Sequence, residues 1–156
     1  RRTGNRKRSA AAGPSAHRHR EGSMSHVATI EVIIKDQELE ALGAAVKELG
    51  LELVRDQKTF KSYQSGLMCD HAIRVPGNPD AYEIGVVKRD DGKGYELKWD
   101  TYGGGRYLLE KVGTGAQKIK QGYATQVAIK AARAGGFRVV GRSVKADGTV
   151  LVSIQR

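Results

Sequence analysis

The stretch from Tyr82 to Asp100 constrains the fold most. Tyr82, Ile84 and Val86 alternate with Glu83 and Gly85, and Tyr95, Leu97 and Trp99 alternate with Glu96, Lys98 and Asp100. A period of two sets alternate side chains on one face of a strand. Between the runs lies Arg89-Asp90-Asp91-Gly92-Lys93-Gly94, turn chemistry with glycine available for positive φ. The pattern predicts an antiparallel hairpin with one buried, aromatic-rich face.

The flanking sequence supplies further elements. Val27–Ile34 reads as a β-branched strand with Ile30, Val32 and Ile34 alternating along it. Asp36 is placed as a helix N-cap, and Leu39, Leu42, Val46 and Leu49 recur on one helical face. Gly50 sits where a left-handed cap belongs, and Leu51–Val54 is expected to return as a strand toward the first. No period is clear over 55–69. His71–Val75 reads as a short strand ended by Pro76-Gly77-Asn78-Pro79-Asp80. Gly103-Gly104-Gly105 breaks the pattern. A second helix is expected from Thr114, with Thr114-Gly115-Ala116-Gln117 as a capping box and Ile119, Tyr123, Val127 and Ala131 along its apolar face. Gly135-Gly136 stops it, and a last hairpin pairs Phe137–Val144 with Val150–Ile154 across Ala146-Asp147-Gly148-Thr149. The element order points to an α+β fold, a mostly antiparallel sheet with two helices on one face.

Charge divides the chain. The 156 residues carry 27 Lys and Arg against 17 Asp and Glu, a formal +10. Residues 1–23 hold seven of the bases and one acid, and no Val, Ile, Leu, Met or aromatic residue. Such a segment buries too little apolar surface to offset the entropy of ordering, so it reads as a disordered basic arm before a single domain over 24–156. Three origins stand for the arm: a functional tail binding phosphates, an expression remnant ending Gly22-Ser23-Met24, or upstream sequence read in frame before a start at Met24. The first residue is Arg, which favours the last two. One Cys excludes an intramolecular disulfide framework. No apolar run approaches the roughly 18 residues of a membrane span, and no apolar segment follows the basic start as in a secretory signal. A cytoplasmic location away from membranes is the expectation.

The candidate motifs weigh lightly. Gly103-Gly104-Gly105 and Gly113-x-Gly115 precede a helix but lack the Gly-Lys-Ser/Thr ending of a phosphate loop, so a flexible connector and a helix start are favoured. Cys69 and His71 would point the same way from a strand, with His26 a further member. One ligand pair is not a zinc site, and a Cys–His nucleophile pair needs an orienting group as well. A half-buried thiol and a surface imidazole are favoured. Asp90, Asp91 and Asp147 lie beside glycine in turns, where turn formation explains them. The body's cations look interspersed with acids, as on a solvated surface.

In order along the chain, Met24-Ser25-His26, Tyr82-Glu83-Ile84-Gly85, Tyr95-Glu96-Leu97, Gln121-x-Tyr123-Ala124, Gly136-Phe137 and Asp147-Gly148-Thr149-Val150 resemble the motifs of the hypothetical chloroplast reading frame 35 family, a domain of unknown function numbered 1257. The resemblance covers Met24 to the C-terminus. The family's frequent Arg within Gln-Arg-Tyr-Ala is Gly122 here, and the Tyr-His that often follows is Thr125-Gln126. The resemblance implies no established activity. It implies a bacterial, phage or plastid setting and, through gene neighbourhood, an accessory role beside an AAA-type ATPase.

The leading expectation is a non-enzymatic accessory or binding module with a protein partner and no cofactor or metal. Its candidate binding residues are His26, Gln121 and Tyr123, although Tyr123 also fits the helix core. Two readings stand beside it. One is a nucleic-acid binder using the basic arm. The other is an enzyme or small-ligand site near His26, Cys69, His71 and Tyr123.

Overall fold

The computed structural model describes residues 27–156. The expected hairpin is its centre. Strands β6 (Ile84–Lys88) and β7 (Tyr95–Asp100) pair antiparallel, with Val86 opposite Leu97 and Lys88 opposite Tyr95. The turn between them closes with the Arg89 N–H donating to the Gly94 carbonyl at 3.0 Å. Three more strands extend this ladder: β1 (Val27–Ile34) against β7, β5 (His71–Arg74) against β6, and β2 (Glu52–Arg55) against β5. The order is β1-β7-β6-β5-β2, antiparallel at every step.

Helix α1 (Leu39–Glu48) links β1 to β2, which occupy opposite edges of the sheet. The second strand therefore does not return beside the first, because β7, β6 and β5 lie between them. Gly50 does cap α1, with φ +79°. The Leu51 N–H donates to the Val46 carbonyl and the Gly50 N–H to the Lys47 carbonyl, the paired bonds of a Schellman turn. Asp36 is not the cap. It opens a 3-10 turn, Asp36–Glu38, and pairs with Lys88 instead.

Helix α2 (Arg106–Val112) is an element the sequence pattern did not predict. Seven residues are too few to show a period, but Leu108 and Val112, one turn apart, are fully buried. Helix α3 (Gln117–Ala134) follows after a 3-10 turn over Thr114–Ala116. The capping box does not form. The residue before α3 is Ala116, left-handed at φ 57°, and no side chain caps the helix. On α3 Ile119 and Tyr123 are buried and Val127 packs half-buried against the core as expected, but Ala131 is exposed, and Thr125 and Ile129 are buried as well.

The main core lies between one sheet face and the helices. Ile30, Ile34, Ile73, Ile84, Val86, Leu97 and Trp99 meet Leu42, Val46, Leu108, Val112 and Ile119 there. Each such side chain contributes roughly 1.5–3 kcal/mol on burial. The opposite face is covered by the short pair β3 (Thr59–Phe60) and β4 (Leu67–Met68), which brings Phe60 onto Ala72, Cys69 and Val87. Gly85 is needed at that point, because a Cβ there would stand 2.4 Å from the Phe60 ring. The chain ends in a separate two-stranded ribbon, β8 (Arg138–Val144) and β9 (Val150–Gln155), lying along α3. No helix among the described residues is long and apolar enough to cross a membrane.

Candidate interaction surface

The polar residues singled out in the sequence do not converge. Cys69 joins Phe60 and Ala72 on one face of the sheet. His71 precedes Ala72 in β5, so it points to the other face, where its ring meets Tyr95 edge-on at 5.4 Å. The two therefore do not share a face. Both are buried, which corrects the expected surface imidazole. Burial, with nearby Asp70, pushes the Cys69 thiol up to about 11, and Sγ donates to the Gln57 carbonyl at 3.1 Å. A thiol held this way supplies almost no thiolate at neutral pH. Burial also lowers the His71 imidazole below its ordinary pKa, and Arg55 adds to this. Its Nδ1 accepts the Asp56 N–H at 2.9 Å, fixing a left-handed turn at Asp56, φ 64°.

Tyr123 is a core residue with a structural hydroxyl. Its Oη accepts the Lys35 N–H at 3.0 Å and so ties α3 to the exit of β1. Gln121 lies against the last turn, where a Cβ on Gly148 would meet its Nε2 at 2.9 Å. His26 lies outside the described residues. Gly122 lies at the crossing of α3 with α1, where its own Cβ would stand 3.2 Å from that of Ala45.

The glycine loop is a packed corner rather than a flexible connector or a phosphate cradle. A Cβ on Gly105 would stand 1.8 Å from the Asp100 carbonyl oxygen, and one on Gly104 2.3 Å from that of Asp80. Asp100, fully buried, accepts the N–H groups of Tyr102 at 3.0 Å and Tyr63 at 3.1 Å. Asp91 and Asp147 are turn residues as expected. Each accepts the N–H two residues ahead at 2.9 Å and is held below the usual carboxylate range, Asp91 chiefly by Arg89 and Asp147 chiefly by the Thr149 N–H. Among the described residues no group of three or more His, Cys, Asp and Glu is placed to hold a metal ion. A groove of about 550 Å³ at the α1–β2 junction is lined by Leu39, Gly43, Leu53, Arg55 and Pro76, and none of the singled-out residues reaches it.

What the structure brings together is charge. Residues 27–110 hold 11 Lys and Arg against 15 Asp and Glu, a net of −4. Residues 111–156 hold nine against one, a net of +8. The cations are therefore not evenly mixed with acids. They accumulate on α3 and the β8–β9 ribbon, and a simple count by thirds of the chain would have found them. Two are neutralised by the body: Lys130 binds Glu38 at 2.8 Å, and Arg142 binds Glu48 at 3.0 and 3.1 Å. The side chains of Lys118, Lys120, Arg133 and Lys145 make no hydrogen bond or ion pair with any described residue.

The ribbon is also lightly packed. No side chain from Phe137 to the C-terminus is buried, and Val140, Val144, Leu151 and Ile154 are 54%, 66%, 46% and 45% exposed. Val139, Val150 and Val152 are half-buried. A register shift between Val139 and Gly141 marks a bulge, a device that bends and twists a strand.

An α+β domain with a basic helix–ribbon unit on an antiparallel sheet is the class of protein that this fold and surface define. The chain belongs to the family described as protein of unknown function (DUF1257), whose sequence profile matches residues 45–152, from within α1 to within β9. No curated protein and no solved structure matches it.

Proposed function

We propose that the protein is a non-enzymatic binding module and that α3 with the β8–β9 ribbon is its recognition surface. The observation that supports this most is the coincidence, in one unit, of a net +7 over residues 117–156 with half-exposed branched side chains and no buried residue beyond Gly136. A two-stranded ribbon is marginal alone, and a partner laid on it would cover what the body leaves open. Its outer strand edges have no pairing partner in the described sheets, which suits strand addition as well as side-chain contact. The accessory role and an AAA-type ATPase as the protein partner belong to this proposal, and they rest on the family resemblance rather than on geometry. The enzyme reading is not advanced, because Cys69 and His71 face opposite sides of the sheet and the Tyr123 hydroxyl is already engaged.

The test is affinity capture with the full chain and with a Val144→Asp/Leu151→Asp variant. Partners held by the parent chain and released by the variant support the reading. Partners that survive both substitutions, or none recovered at all, contradict it.

A further inference from the structure

The unit's cations fall at its two ends. At one end, Lys118 and Lys120 stand on the first turn of α3. The ribbon's turn, with Lys145, folds back to the same place through the contact of Gly148 with Gln121. The positive end of an 18-residue helix adds to them. At the other end, Arg133 closes α3, Arg138 opens β8, and Arg156 follows β9 with its guanidinium 4.4 Å from the Phe137 ring centroid. Between the ends the charge is spent, because Lys130 and Arg142 are paired with Glu38 and Glu48. The other exposed side chains there are uncharged, small or branched: Ala124 and Ala128 on α3 and Val140, Ser143, Leu151 and Ser153 on the ribbon.

Resting on the reading of this unit as the recognition surface, we propose that it binds double-stranded nucleic acid, with the two cationic ends gripping phosphates and the neutral waist lying over the groove between them. Three arguments favour this partner. From Lys118 to Arg133 the helix advances about 22 Å at 1.5 Å per residue, longer than the roughly 12 Å width of the major groove, so cations at its two ends can reach phosphates on both sides of that groove. A two-stranded ribbon is one of the shapes the major groove admits. Single strands are recognised by bases stacking on exposed aromatic rings, and this unit offers none: Tyr123 is buried, and Phe137 is half-buried under Arg156. The surface differs from the basic arm of residues 1–23, and the two can be separated by substitution.

The experiment is fluorescence anisotropy of a labelled 20-base-pair DNA duplex titrated with the full chain at 50 and 200 mM salt. About five phosphate contacts predict a loss of affinity of roughly 10²- to 10³-fold between the two salts. The variant Lys118→Ala/Lys120→Ala/Lys145→Ala, with unchanged circular dichroism, is expected to bind at least about tenfold more weakly at 50 mM. Its log–log salt slope should be shallower by about 3, near 0.9 per lost contact. The variant Arg6→Ala/Lys7→Ala/Arg8→Ala is expected to lose less. No binding by the folded parent chain at 50 mM overturns the inference. So does binding that the arm substitutions abolish and the lysine substitutions leave intact. A polyglutamate probe that binds through the three lysines where the duplex does not also overturns it, in favour of an acidic protein, and leaves the recognition surface standing.

Discussion

The central sheet and the C-terminal ribbon are both antiparallel β-structure, but they are held by different physics. In the sheet, Ile73, Ile84, Val86 and Leu97 are fully buried beneath α1, α2 and α3. In the ribbon nothing is buried, and the polar tie to the body is Arg142 on Glu48, a pair about half exposed. Such pairs are worth about 1 kcal/mol or less. Charge divides along the chain instead, with a net of −4 over residues 27–110 and +8 over residues 111–156; Lys118, Lys120 and Arg133 lie on the packed α3 and Lys145 on the ribbon. A stable base therefore carries a lightly attached ribbon, and the recognition surface proposed above includes the part of the molecule that contributes least to stability.

The largest expected effects break the base. Gly105→Ala puts a Cβ into the Asp100 carbonyl and is expected to prevent folding or to cost more than about 3 kcal/mol, read from urea unfolding. Leu97→Ala is expected to cost about 2–5 kcal/mol, whereas Leu151→Ala should cost less than about 1. Equal losses for the two leucines would erase the distinction between the regions.

A smaller effect tests the tie between α3 and β1 within the base. Tyr123→Phe removes the acceptor of the Lys35 N–H and is expected to cost about 1 kcal/mol, with the fold unchanged by circular dichroism. A neutral result would mean that water replaces the hydroxyl.

Two titratable groups sharpen the picture of the base. His71 resists protonation when folded, so the unfolded chain binds the extra proton first. Stability is full above about pH 6.5 and falls as the pH drops below it, levelling only under the lowered folded value. Unfolding midpoints at pH 7.5 and 5.5 should therefore differ more for the parent chain than for His71→Gln. Cys69, with its thiol at about 11, should resist iodoacetamide at pH 8 until the chain is unfolded. Rapid labelling of the folded protein would show that the Phe60 side of the sheet opens.

The base was legible in sequence where a period spans several turns or strands. The alternation over Tyr82–Asp100, the spacing of Leu39, Leu42 and Val46, and Gly50 as a cap all match the structure. Helix α2 escaped because seven residues give no period. The edge position of β2 escaped because pairing partners are chosen by tertiary packing rather than by strand pattern. The surface escaped for another reason. Gln121 stands out in its motif and lies against the ribbon turn, and it is that long-range contact at Gly148 that brings the turn holding Lys145 to the start of α3. The net charge of everything after residue 23 is only +4, because −4 over residues 27–110 offsets +8 over residues 111–156 and conceals the basic unit.

Hydrogen exchange of the full chain, read by mass spectrometry with and without the duplex, tests the central claim most directly. In the free protein the amides of β8 and β9 should exchange at least about 100-fold faster than those of β5, β6 and β7, since local openings are least costly where few apolar contacts hold a segment. Adding duplex at 50 mM salt should slow exchange in β8, β9 and the first turns of α3 and leave the central sheet unchanged. Equal protection of ribbon and sheet in the free chain, or slowing confined to the central sheet, would contradict the account.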